Sequence, residues 1–135
     1  TEWLKRAEAD LNFGLGNDPG RGVQWLRLAV VRLALEGPSQ RSVAPLLMSI
    51  DTSPMMLPIW KARLHLILDN WRAFTSQQRE QVGLYVVRTW QLSPDKRWFA
   101  DAIRTPVDEL FVRYFVRDEL GAQDELTRLL AEKKK

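Results

Sequence analysis

The stretch Val23-Gln-Trp-Leu-Arg-Leu-Ala-Val-Val-Arg-Leu-Ala-Leu-Glu36 decides the fold of this chain. Four of its fourteen residues are polar, and the others are apolar on almost every side of a helix. Gly37 and Pro38 follow, a pair that commonly ends helices. Because a helix that is apolar nearly all round has to be surrounded by other elements, we predict a central helix over 23–36.

Helical periodicity continues on both sides of this segment, and no stretch of four or more residues alternates as a strand does. Proline and glycine interrupt the chain about every 12 to 20 residues, which is the spacing of short helices and their turns. Capping residues followed by proline precede several segments. We therefore predict an all-α fold of seven or eight short helices, over 2–13, 23–36, 42–50, 55–71 with a kink or later start at Pro58, 75–91, 95–104, 105–120 and 122–133.

The composition is that of one globular domain over 1–135. The chain has 135 residues, is 45% hydrophobic and contains six tryptophans but no cysteine, which excludes thiol chemistry and cysteine metal sites. Its 20 Lys and Arg oppose 17 Asp and Glu, and three of the 20 form the tail Lys133–Lys135. The rest of the chain is neutral, so we do not expect a nucleic-acid partner.

A proline and a tryptophan recur together along the chain. Pro19 precedes Trp25 by six residues, Pro54 precedes Trp60 by six residues, and the two pairs are 35 residues apart. A looser copy of the pattern occupies 93–98. A period of this length indicates repeated helical hairpins.

The span 18–54 resembles a tetratricopeptide repeat, whose unit is a 34-residue pair of antiparallel helices. Trp25-x-x-Leu28-Ala29 matches the opening Trp-x-x-Leu-small pattern of that family, Gly37 falls near the turn between the helices, and Pro54 falls near the end of the unit. Arg32 departs from the pattern, because an aromatic residue is usual there. In the following unit, 54–91, only the tryptophan of the pattern is kept.

The resemblance implies antiparallel hairpins at 18–54 and 54–91, followed by C-terminal helices over 93–135, in a solenoid-type array. Such arrays bind a peptide or a partner helix in a concave groove, and no catalytic residues belong to the family. Degenerate units of this kind are also similar to those of bacterial envelope and exopolysaccharide proteins. That similarity implies a place on the periplasmic side of the cell envelope, although the compartment is not fixed by the sequence.

The residues suited to catalysis do not form a known constellation. His65 is the only histidine and lies between Lys61 and Asp69 on a polar stripe, so we interpret it as a solvated side chain. The glycines of 14–22 lack the spacing of a phosphate loop and predict a connector. Adjacent carboxylates point about 100° apart on a helix and do not converge on one substrate. We predict no catalytic, cofactor-binding or metal-binding residue.

The hypothesis that we favour is a non-enzymatic domain that binds a protein or peptide partner. The chain begins with Thr1 rather than Met, and we expect it to be one module of a larger protein. No run of 18 apolar residues is present, so no membrane-spanning helix is expected. From their polarity, we predict a partner surface made of Arg27, Arg32, Arg63, Trp98 and Phe99.

Other hypotheses stay open. The arginines, the tryptophans and the tail Lys133–Lys135 suit a module that binds an anionic polymer or a membrane surface, although we expect a frayed, solvated end and only weak membrane contact from the tail. A small helical enzyme that uses carboxylates would need a cleft in which two or more of them meet. A short helical array also leaves an apolar end uncapped, which permits homo-oligomers.

Overall fold

The computed structural model describes residues 1–134, which contain eight α-helices, two short 3₁₀ helices and no strand. The all-α prediction is confirmed. The α-helices are α1 (Glu2–Asn17), α2 (Gly22–Glu36), α3 (Gln40–Thr52), α4 (Trp60–Asp69), α5 (Ser76–Leu92), α6 (Arg97–Ala102), α7 (Pro106–Phe115) and α8 (Ala122–Lys133), and the 3₁₀ helices are Leu57–Ile59 and Trp71–Ala73.

The chain divides into two compact units, Thr1–Thr75 with α1 to α4 and Ser76–Lys135 with α5 to α8. The single domain over 1–135 stays a prediction. The boundary falls inside the predicted hairpin 54–91, so α4 and α5 belong to different units. Each unit has its own buried apolar side chains, among them Leu28, Val43, Leu46 and Ile67 in the first and Val82, Phe99, Val112 and Leu126 in the second.

Helices α2 and α3 form an antiparallel hairpin in the first unit. At one end, Ser49 Oγ donates a hydrogen bond to Gly22 O over 2.7 Å. At the other end, Arg32 Nη1 donates to Arg41 O over 3.2 Å. Gly37 ends α2 with a φ of 77°, which favours glycine, so the sequence signal at this turn has a direct structural reason.

The start of α2 lies against the end of α3 without room for a side chain. A Cβ atom at Gly22 would lie 2.3 Å from Ser53 Oγ and 2.5 Å from Ser53 Cβ. Gly22 therefore permits the close approach that brings its carbonyl within reach of Ser49.

The recurring tryptophans make the same hydrogen bond. Trp25 Nε1 donates to Pro19 O over 2.7 Å, and Trp60 Nε1 donates to Pro54 O over 2.9 Å. Each bond joins a residue in the first turn or so of a helix to the carbonyl six residues before it. A buried or half-buried indole N–H requires such a partner, which explains why proline and tryptophan keep this spacing.

Helix α7 of the second unit begins where its cap predicts and ends earlier than expected. Thr105 Oγ1 accepts a hydrogen bond from Asp108 N over 3.1 Å, which confirms the cap. The helix stops at Phe115 rather than at residue 120, and a turn follows it. The turn ends at Gly121, which has a φ of 74° and directly precedes α8. Val112, Phe115 and Val116 are buried, so one face of α7 packs into its unit.

Candidate interaction surface

The five residues predicted as a partner surface are divided between the two units. Arg27, Arg32 and Arg63 belong to the first unit, whereas Trp98 and Phe99 belong to the second. Arg63 and Phe99 are fully buried, so the prediction that they lie at the surface is wrong. Of the five, only Arg27, on α2, is exposed.

Arg63 is buried because its guanidinium donates hydrogen bonds to the oxygens of a residue near the C-terminus of α3. Its Nη2 donates to Ser49 O over 2.6 Å, and its Nε and Nη2 approach Ser49 Oγ at 3.2 and 3.0 Å. Ser49 lies in the last turn of α3, where its carbonyl also accepts the N–H of Ser53 over 3.1 Å and the helix dipole favours a cation. Ser49 Oγ also donates a hydrogen bond to Gly22 O, so the three residues Gly22, Ser49 and Arg63 join α2, α3 and α4. We name these three residues the arginine latch.

Arg32 is also used inside its own unit. Its Nε donates to Glu8 Oε2 over 3.0 Å, and its Nη2 donates to Asn12 Oδ1 over 3.1 Å. Arg41 donates to the same Glu8 oxygen over 2.8 Å and also pairs with Glu36. This network holds α1, α2 and α3 together and leaves Arg32 half-buried, and its role as a contact residue stays a prediction.

Trp98 and Phe99 belong to an aromatic cluster of the second unit. Trp98 is half-buried, and its Nε1 donates to Ser93 Oγ over 3.0 Å. Its ring lies 3.9 Å from the ring of Phe99, which lies 5.0 Å from that of Trp90. Lys96 Nζ lies 5.3 Å from the Trp90 ring. These contacts stabilise α6 within the unit and leave little of either predicted residue for a partner.

A different apolar surface, which the sequence reasoning missed, lies on α7. Val107, Leu110 and Tyr114 follow each other at intervals of three and four residues and are exposed, Leu110 by 70%. Arg117 extends this stripe, because its guanidinium carbon lies 4.1 Å from the centre of the Tyr114 ring. We name these four residues the α7 outer face.

One edge of the α7 outer face is bounded by contacts to α8. Arg113 Nε pairs with Glu109 Oε2 over 3.0 Å. Arg113 also donates to Gln123 O over 3.1 Å and to Thr127 Oγ1 over 3.0 Å. These bonds fix α7 against α8 at one edge of the outer face, while the buried Val112 and Phe115 hold the opposite side of the helix.

An arginine stands at each end of α7. Arg104, before the helix, donates from Nε to Asp108 Oδ2 over 3.2 Å. Arg117, after the helix, has its Nε 3.9 Å from Asp118 Oδ2, and both side chains are largely exposed. Such an exposed pair contributes little to stability, so the Arg117 guanidinium can exchange Asp118 for an incoming carboxylate.

The lysine tail is partly held rather than frayed. Lys133 Nζ donates to Ala100 O and to Ile103 O, each over 2.8 Å, at the carbonyl end of α6. Lys133 is exposed as expected, but these bonds tie its ammonium group to α6. Lys134 is exposed, and Lys135 lies outside the described residues.

The candidates for catalysis do not gather into a metal site within residues 1–134, where no group of three or more His, Asp or Glu side chains is placed to hold an ion. His65 is half-buried rather than solvated as predicted. In the same residues, no helix combines the length and the apolar character that crossing a bilayer requires.

One carboxylate has a clearly displaced pKa. The side chain of Arg97 donates hydrogen bonds to Asp95, at 2.6 Å for Nη2 and Oδ2, and this lowers the pKa of Asp95 from 3.8 to about 2. The backbone N–H of Arg97 adds a further bond at 3.0 Å. A general acid needs its pKa raised, so this pair fits a structural role at the start of α6.

No family model matches the chain, and neither a curated protein nor a solved structure matches it. The likeness of 18–54 to a tetratricopeptide repeat remains a prediction.

Proposed function

We propose that this chain is a non-enzymatic helical interaction domain that binds a helical segment of a partner protein on the α7 outer face. The observation that carries the proposal is that α7 is apolar on two opposite sides. One side is buried in its own unit, and the other is exposed. A surface helix normally has a single apolar stripe, and a second one that faces water indicates a binding surface.

The chemistry of the α7 outer face favours an amphipathic helix as the occupant. From Val107 to Tyr114 the stripe covers two turns, or about 10 Å of helix at 1.5 Å per residue. A partner helix with apolar residues three and four apart matches that spacing, as in other helix-in-groove complexes. A carboxylate near one end of the partner helix would pair with Arg117, which donates to Tyr114 O over 2.9 Å and whose nearest carboxylate, Asp118, is 3.9 Å away and exposed.

A second copy of this chain fits the same surface less well. If two α7 helices paired in parallel around a two-fold axis, Arg117 would face Arg117. If they paired antiparallel and centred on the stripe, Arg117 would face Arg104. Either arrangement opposes like charges, which costs free energy, whereas an acidic partner helix gains a charge-assisted hydrogen bond.

The hairpin of α2 and α3 supports the finer proposal that the first unit is a tetratricopeptide-like scaffold. Its two helices are antiparallel. The indole of Trp25 and that of Trp60 bond the carbonyl of a proline at the same distance in sequence. The envelope association belongs to this same proposal and rests on the sequence resemblance.

A comparison of two leucine variants tests the proposed function. Leu110 lies on the α7 outer face and Leu84 lies on α5, and they are exposed by 70% and 68%, so Leu84→Glu is a matched control for Leu110→Glu. A partner is captured from an extract of cells that produce the chain, identified, and purified. We expect Leu110→Glu to weaken its binding about tenfold or more, because the new charge would be desolvated, and Leu84→Glu to bind as the wild type does.

Equal affinity of the partner for both variants would contradict the proposal. A partner segment that binds but is not helical would contradict the choice of occupant. Self-association that Leu110→Glu abolishes, measured by sedimentation of the purified chain, would show that a second copy occupies the face instead.

A further inference from the structure

The methionines of this chain lie close together in sequence in the first unit, and all three are exposed. All three lie between residues 48 and 56, with Met48 on α3 and the other two in the turn after it. Their side chains are exposed by 36% for Met48, 53% for Met55 and 38% for Met56. The chain has no cysteine, so these thioethers are its only sulfur atoms.

The turn that carries Met55 and Met56 is apolar, exposed and ordered by its backbone. All five residues of 54–58, which we name the methionine turn, are exposed. Met56 N donates to Ser53 O over 3.4 Å, and Ile59 N donates to Met56 O over 3.2 Å. The indole of Trp60 holds the first carbonyl of the turn. The thioethers are therefore presented to water from a fixed backbone.

We propose that Met55 and Met56 form an oxidation site for hydrogen peroxide, which reversibly converts the methionine turn from an apolar to a polar surface. In the reaction the thioether sulfur attacks one peroxide oxygen, and the O–O bond breaks. The sulfur keeps that oxygen as a sulfoxide, and the other oxygen leaves as water after it takes up the transferred proton. Sulfur loses two electrons and the peroxide gains them, and methionine sulfoxide reductases reverse the change.

The position of the site separates a surface switch from damage. Oxidation of a buried methionine places a polar group in a core and disrupts packing. Met55 and Met56 lie outside the helices of the unit. The bonds that order the turn use backbone atoms and the Trp60 indole, so oxidation of the two sulfur atoms leaves those bonds in place. The fold is therefore retained when both sulfoxides form.

Mass spectrometry of the native protein after brief treatment with hydrogen peroxide tests the site. We expect three oxygen atoms to be added in the end, with Met55 modified faster than Met48. The thermal midpoint of the protein that carries sulfoxides at Met55 and Met56 should match that of the untreated one. Methionine sulfoxide reductases should restore the original mass.

The double variant Met55→Leu/Met56→Leu is the matched control, because leucine keeps the volume and apolar character of the turn. The probe is 1-anilinonaphthalene-8-sulfonate, whose fluorescence reports exposed apolar surface. Peroxide should lower the fluorescence of the dye on the wild type and leave it unchanged on the double variant. An equal loss on both proteins, slower oxidation of Met55 than of Met48, or a thermal midpoint that falls by several degrees would each overturn the proposal.

The proposal does not depend on the α7 outer face, which belongs to the other unit. The Leu110→Glu variant should take up oxygen at Met55 and Met56 at the rate of the wild type. The two proposals therefore fail or succeed separately.

Discussion

At the scale of single residues, charged side chains in this protein mostly serve its own helices. Arg63 is fully buried and bonds the oxygens of Ser49, while Arg32 joins α1 to α2 through Glu8. An arginine has five donors in a fixed fork, so one side chain can satisfy several acceptors that end a helix. Polarity alone therefore does not identify a contact residue in this chain.

Loss of the Arg63 guanidinium should destabilise the first unit. In Arg63→Met, the buried Ser49 Oγ loses its charged donor, and an unsatisfied buried acceptor costs about 1–3 kcal/mol. Ser49 O keeps the bond from Ser53 N and loses only the second one. Urea unfolding would measure the change. Arg27→Met, at an exposed position of α2, should change the free energy of unfolding by less than about 0.5 kcal/mol. Equal effects of both substitutions would contradict the role given to the arginine latch.

The Asp95 carboxyl should titrate well below the usual range. Its pKa is lowered to about 2, chiefly by the hydrogen bond from the Arg97 side chain. A lowered pKa in the folded state gives a stabilisation that is present above pH 3.8, the ordinary value, and is lost as the pH falls towards 2. NMR titration of the carboxyl carbon measures the pKa, which should rise towards 3.8 in Arg97→Gln. An unchanged midpoint in that variant would show that another group causes the shift.

At the scale of helices, the sequence predicts where a helix begins and ends better than which of its faces is covered. The predicted range of α8, 122–133, and the end of α2 are confirmed, because capping residues and glycine mark them. Helix α1 was predicted to end at residue 13 but continues past Gly14 to Asn17. The reason is Leu15, which is buried, whereas Gly14 and Gly16 on either side of it have no close neighbour. The apolar contact of one leucine outweighs the low helix propensity of two glycines.

Two glycines should respond in opposite directions to the same substitution. Gly22→Ala places a Cβ atom against Ser53, and the required shift of α2 from α3 should cost about 1–3 kcal/mol. Gly14→Ala adds a methyl group in open space inside α1 and should stabilise the protein by about 0.5–1 kcal/mol. Thermal unfolding of the two variants gives the signs. A stabilised Gly22→Ala protein would show that the close approach of α2 and α3 is absent.

The buried position of Arg63 was within reach of the sequence, and the α7 outer face was not. Trp60, Arg63 and Ile67 share one helical stripe, so the apolar neighbours of Arg63 indicate its burial. On α7, apolar residues occur both at Leu110 and on the opposite side at Val112. Periodicity identifies two apolar faces there, but only tertiary packing decides which of them is covered.

At the scale of the whole molecule, the chain consists of two helical units, each with its own core. Fold class follows from the sequence because every strong period is helical. The division at residue 75 does not follow from the sequence. The spacing of Pro54 and Trp60 reflects a local hydrogen bond, and it does not indicate whether α5 packs with α4 or with α6 to α8. The proposed binding face and the methionine turn belong to different units, so each is open to a separate test.

Binding of a partner helix to the α7 outer face can be observed directly by NMR. The measurement adds the identified partner segment to the 15N-labelled chain and maps the changes in its amide chemical shifts. If a partner helix binds there, the largest changes in the second unit occur between Val107 and Arg117, with new helical signals from the partner. Changes centred on Leu84 or elsewhere in that unit, with α7 unaffected, would contradict it.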